Sequence, residues 1–132
     1  MLPARPLLGM ALLTLALGVA AAPAATASGV EPGDSGVRRI EKLVGEARFR
    51  EAAEQAPTLR LAVLAMPPSS ATRRLLVRTE LAAGTAALAL GQQSAARICF
   101  LRALQLEPTL ALGSATPPKV RSVLDSLREA RE

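Results

Sequence analysis

The sequence predicts an all-α fold: antiparallel helical hairpins closed by a C-terminal capping helix. Three observations carry that expectation. Beyond residue 36, apolar residues recur at three- and four-residue spacing. No alternation of apolar and polar residues runs long enough for a strand. Pro67-Pro68, Gly91 and Pro108 punctuate the periodic segments where helices should stop. With 132 residues, the chain has room for one small domain. Only 2% of its residues are aromatic, so burial has to come from Leu, Val and Ala, with alanines letting helix axes approach closely.

Residues 1–27 have the order of a secretory signal peptide: Arg5, then an apolar run from Leu7 to Ala22, then small residues to Ala27. The run is about 16 residues, short of the roughly 20 that span hydrocarbon. The expectation is therefore cleavage, most favourably after Ala25-Thr26-Ala27 and before Ser28, and a periplasmic or secreted product that meets the membrane only through this segment. Losing Arg5 leaves 15 basic against 11 acidic side chains, a net charge of +4.

Residues 28–36, SGVEPGDSG, are rich in turn formers and read as a disordered leader. The domain proper is expected over residues 37–132. Val37, Ile40, Val44 and Ala47 share one helical face, and Phe49, Ala52, Ala53 and Ala56 share another. Pro57 should kink this second helix or split it in two, because proline lacks the amide donor and clashes with the preceding turn. Pro67-Pro68 closes this first hairpin, residues 37–68.

The second hairpin is expected over residues 71–110. Ser69 or Ser70 is placed to cap its first helix, whose seam is Val77, Leu81, Gly84 and Leu88. Gly91 suits a left-handed helix terminus. The following helix, from Ser94 to about Leu106, carries Ala96, Cys99, Phe100 and Ala103 on one face and Ile98 and Leu101 on another, which predicts packing on both sides. Residues 116–131 should form the capping helix, with Thr116 as cap, Pro117 and Pro118 where no donor is needed, and Val120, Val123, Leu124 and Leu127 as the buried stripe. Arg121, Arg128 and Arg131 are expected to face water, and Asp125 and Glu129 to pair with the neighbouring arginines.

Several positions in the second hairpin have a characteristic arrangement. Gly84 is small where two helices must meet, Gly91 lies at the turn, Ala96 and Phe100 are four apart, and Ala103 is followed by Pro108. From Val77 to Leu110 the chain thereby resembles a tetratricopeptide repeat, a helix-turn-helix unit of roughly 34 residues. Glu80, Ala83 and Ala87 depart from the large residues usual at their places. Ala47, Arg48, Phe49 and Ala52 resemble the turn of a degenerate earlier copy, interrupted by Pro57. With Thr116-Pro117-Pro118-Lys119-Val120 leading into the last helix, the whole is similar to small exported repeat proteins of myxobacterial type. The resemblance implies a fold that binds peptides or protein surfaces. Mapped onto it, the concave, partner-binding surface would comprise Arg74, Arg78, Leu81, Thr85 and Leu88, with Gly84, Gly91, Ala96, Phe100, Ala103 and Pro108 serving repeat packing.

Chemistry finds little footing in these residues. Without a single His, the chain excludes a histidine triad, a His-containing zinc site and a histidine pH switch. Cys99 is alone, which excludes an internal disulfide, and lies on an apolar face with no base to activate it. No phosphate loop or metal-ligand spacing appears, and no cofactor is expected. Arg73, Arg74 and Arg78 alternate with apolar residues as a solvated face does, so no nucleic-acid partner is expected. The reading is a non-enzymatic interaction module for a segment of another envelope protein. The alternative is a structural subunit that self-associates, since two or three helix pairs are few for a free-standing solenoid.

Overall fold

A computed structural model describes residues 32–131 as five helices with no strand among them. They are α1 (Pro32–Gly45), α2 (Phe49–Leu64), α3 (Ser70–Ala89), α4 (Gln93–Leu106) and α5 (Pro118–Arg131). The fold is all-α. The signal peptide expected over residues 1–27, and residues 28–31 of the leader, lie outside the described residues.

The rest of that leader is helical, which corrects the expectation of disorder up to Gly36. Gly33, Gly36, Val37 and Ile40 share one face at helical spacing, and that face lies against α2. A Cβ at Gly36 would come within 2.6 Å of Leu59 Cδ1, and one at Gly33 within 2.8 Å of the Met66 sulfur. These glycines let two helices touch, and Asp34 in the first turn favours the helix start electrostatically. Leu43, not Ala47, completes the buried stripe of α1.

Ala47 instead forms the turn. Its φ of 60° is left-handed; its N–H donates to the Val44 carbonyl and the Arg48 N–H to the Leu43 carbonyl. At the end of α3, Gly91 has φ 78°, its N–H donates to the Leu88 carbonyl and the Gln92 N–H to the Ala87 carbonyl. Both turns are the same Schellman closure, recurring 44 positions apart. In each, three residues reverse the chain, so α2 returns along α1 and α4 along α3.

Pro57 neither splits α2 nor ends it, contrary to expectation: the helix is continuous from Phe49 to Leu64. The missing hydrogen bond is outweighed by a buried stripe on both sides of it, Ala52 and Ala56 before and Leu59 and Val63 after. Ser69 does cap α3, its hydroxyl accepting from the Thr72 N–H at 3.1 Å.

α3 is the centre of the domain. It packs against α1, α2 and α4, and most extensively against α4. Twelve of its residues are buried, more than the single expected seam, because a helix with neighbours on three sides has little outer face left. Two apolar clusters meet on it. One joins α1, α2 and α3 around Val37, Ile40 and Val63; the other joins α3, α4 and α5 around Phe100, Leu104 and Leu124.

α5 packs on α4 through Val120, Leu124 and Leu127. Arg121 and Arg128 do not simply face water: Arg121 donates to the Gly113 carbonyl at 2.8 Å and Arg128 to the Leu110 carbonyl, tying down residues 107–117. Arg128 also pairs with Asp125 at 3.7 Å. Thr116 closes the turn before α5 through its N–H to the Gly113 carbonyl, while the Pro117 carbonyl accepts from the Arg121 N–H.

Candidate functional site

Of the residues expected to serve repeat packing, Gly84, Ala96 and Ala103 gather around one ring, that of Phe100, and Gly91 and Pro108 do not. Phe100 is fully buried, and a Cβ at Gly84 would sit 2.5 Å from its Cε1. Ala96 and Ala103, one turn to either side of it, are also fully buried. Gly91 ends α3, so the stretch from residue 84 to residue 103 is two helices and not one. Pro108 is exposed, just beyond the end of α4.

The five residues expected to line a partner surface separate. Leu88 is buried in the cluster beneath α5 and Arg74 is exposed. Arg78, Leu81 and Thr85 do lie together, on a cleft of about 350 Å³ between α1, α3 and the approach to α5. Arg78 is already committed there: its Nη2 and Nε meet the two carboxylate oxygens of Glu41 at 2.6 and 3.0 Å, and its Nη1 lies 3.7 Å from Asp34. The hydrogen bond to Glu41 raises the pKa of Arg78. This arginine holds α1 to α3 and is not a free attractor for an acidic partner. The Thr85 hydroxyl donates to the Leu81 carbonyl at 2.7 Å, within its own helix.

On the opposite side of α3 lies a groove that periodicity had not indicated. Its walls are α2 and α4, which run parallel because each is antiparallel to α3. Pro57, Arg60 and Leu64 project from α2, and Ala95, Ile98, Arg102 and Leu106 answer from α4, each set at helical spacing. Two hollows open along it, of about 290 Å³ over Ala83 and Ala87 and about 440 Å³ over Leu76. Among the described residues, Leu61, Leu64 and Ile98 are the large apolar side chains left exposed, at 69%, 58% and 50%. Leu64 and Ile98 border this groove, whereas Leu61 lines neither hollow; Ile98 is thus exposed where the second apolar face of α4 was expected to pack.

Between the two hollows Arg60 reaches from α2 to Glu80 on α3. Nε meets Oε2 at 2.7 Å and Nη2 meets Oε1 at 2.8 Å, with Glu80 almost wholly buried. The bond to Glu80 raises the pKa of Arg60. The same guanidinium approaches the Cys99 sulfur at 3.9 Å. Burial, and then the Glu80 charge, push the Cys99 thiol up against the opposing pull of Arg60 and Arg102. The thiol is thereby held protonated and poorly nucleophilic.

Among the described residues, no three His, Cys, Asp or Glu side chains gather as metal ligands, and no helix is long and apolar enough to cross a membrane. Comparison with protein-family models, with curated proteins and with solved structures finds no match to this chain.

Proposed function

We propose that this chain is an exported, non-enzymatic interaction module of tetratricopeptide-like build, which takes a segment of another envelope or secreted protein in the groove between α2 and α4. One observation carries the reading. Two of the three large apolar side chains exposed among the described residues, Leu64 and Ile98, stand on the two walls of one groove, whereas unselected surface apolar residues would be scattered. The repeat-like build is supported by the recurrence of one turn geometry, with an alanine at the same place after each turn, Ala52 and Ala96, both fully buried. The hairpins recur at 44 residues and not at about 34; α2 and α3 are both longer than α1 and α4. Export rests on the pattern of residues 1–27.

Site-specific photo-crosslinking tests this reading. A crosslinker replacing Ile98 should give a discrete adduct in intact cells, and the same group at exposed Glu129 should not. The adducted protein, once purified, should bind the wild-type domain saturably and fail to bind Leu64→Glu. Identical adducts from both positions would defeat the assignment.

A further inference from the structure

We infer that the occupant of the α2–α4 groove is an acidic amphipathic helix of another protein, about three turns long, and not a second copy of this chain; the inference rests on the groove being the binding face.

Length follows from the walls. The α4 side runs from Ala95 to Leu106, twelve residues separated by eleven rises of about 1.5 Å, or roughly 16 Å. Secondary structure follows from hydrogen bonding. An extended segment laid in this groove would give up water from its backbone N–H and C=O groups, and the walls offer no sheet edge to replace it. A helix satisfies its own backbone and needs only apolar anchors, which Leu64, Ile98 and Leu106 can meet.

Charge decides between the possible occupants. Arg73 lines one hollow and Arg102 the other, both exposed and in no ion pair among the described residues. No carboxylate lines either hollow, and Arg60 is already matched by Glu80. A two-fold contact through this groove would bring two further arginines and no carboxylate from the groove of the second copy, which self-association does not favour. A helix with Asp or Glu flanking its apolar stripe meets complementary charge from Arg73 and Arg102.

Two synthetic helical peptides sharing one leucine stripe, one flanked by Glu and the other by Lys, test this against the purified domain by fluorescence anisotropy at 50 and 300 mM NaCl. The Glu peptide should bind about tenfold or more tightly than the Lys peptide, and that preference should shrink at the higher salt. The double variant Arg73→Glu with Arg102→Glu should invert it, and Ile98→Glu should abolish binding of both, each variant keeping the wild-type circular dichroism. Equal affinities lost together in Ile98→Glu would overturn the acidic preference while leaving the groove as a binding face. Binding of neither peptide, or binding indifferent to Ile98→Glu, would overturn the groove itself. A dimer in sedimentation that Leu64→Glu dissociates would make the second copy the occupant and overturn the inference.

Discussion

Arg60 and Glu80, twenty residues apart in sequence, clasp each other with both arms of the guanidinium and both oxygens of the carboxylate, at 2.7 and 2.8 Å. The clasp joins α2 to α3 at the floor of the groove. An ion pair here makes a contact between two helices that apolar bulk makes elsewhere in the domain.

Removing one partner should therefore be worse than removing both. Arg60→Ala strands a carboxylate whose side chain is 3% exposed, and the expected loss is about 3–5 kcal/mol. The double replacement Arg60→Leu with Glu80→Leu should lose markedly less, since no charge stays buried. Urea unfolding of the three proteins measures the difference; a loss under about 1 kcal/mol in Arg60→Ala would mean that the pair does not hold the helices.

Gly84 should tolerate no side chain while Phe100 is present. Alanine raises helix propensity by about 1 kcal/mol, yet its Cβ would press on a fully buried ring with neighbours on every side. The collision should prevail, leaving Gly84→Ala less stable by about 1–3 kcal/mol. Adding Phe100→Leu should recover part of the loss, and strictly additive costs would show that the two residues do not meet.

Much of the architecture was legible because helices announce themselves through periodicity and stops. Ser69, Gly91 and the stripe of Val120, Leu124 and Leu127 do what their local sequence implies. The failures share a physical cause, which is that a tertiary neighbour overrode a local signal. Gly33 and Gly36 resemble turn formers until α2 is laid against them. Pro57 resembles a break until burial on either side of it holds the helix together. Arg78 looks solvated because Glu41, its partner, is 37 residues away. Leu64 and Ile98 were missed for a different reason: a periodic apolar residue looks like core, and it is surface here because no helix among the described residues covers α2 and α4.

The two Schellman turns invite a paired test of backbone conformation. Ala47 is in the left-handed region, which costs an L-residue roughly 1–2 kcal/mol, part of which glycine returns as unfolded-state entropy. Ala47→Gly should thus stabilise the domain by about 0.5–1 kcal/mol. Gly91→Ala should destabilise it by a similar amount, although no atom lies within 4 Å of the added Cβ. Opposite shifts in the midpoint of thermal unfolding would verify this, whereas shifts of one sign would show that packing governs.

The Arg78 pairing with Glu41 is a surface interaction, each side chain being more than a third exposed. Arg78→Ala should cost no more than about 1 kcal/mol, and the cost should fade as salt is raised from 50 to 500 mM. A larger, salt-insensitive loss would place the pair in the core of the α1–α3 contact.

Cys99 makes stability depend on pH on the alkaline side. Its folded thiol is held above the ordinary value of 9.0, chiefly by burial. In the folded state it therefore keeps its proton at pH values where the unfolded chain has lost it. Stability from this group is whole below the unfolded value and declines as pH rises through the folded one. Cys99→Ala should flatten that decline. Urea midpoints between pH 7 and 10.5 provide the comparison, and parallel curves would refute it. Alkylation supplies a second check at pH 8: iodoacetamide should modify the native thiol at least about tenfold more slowly than the urea-unfolded one, because access and thiolate are both scarce beneath Arg60.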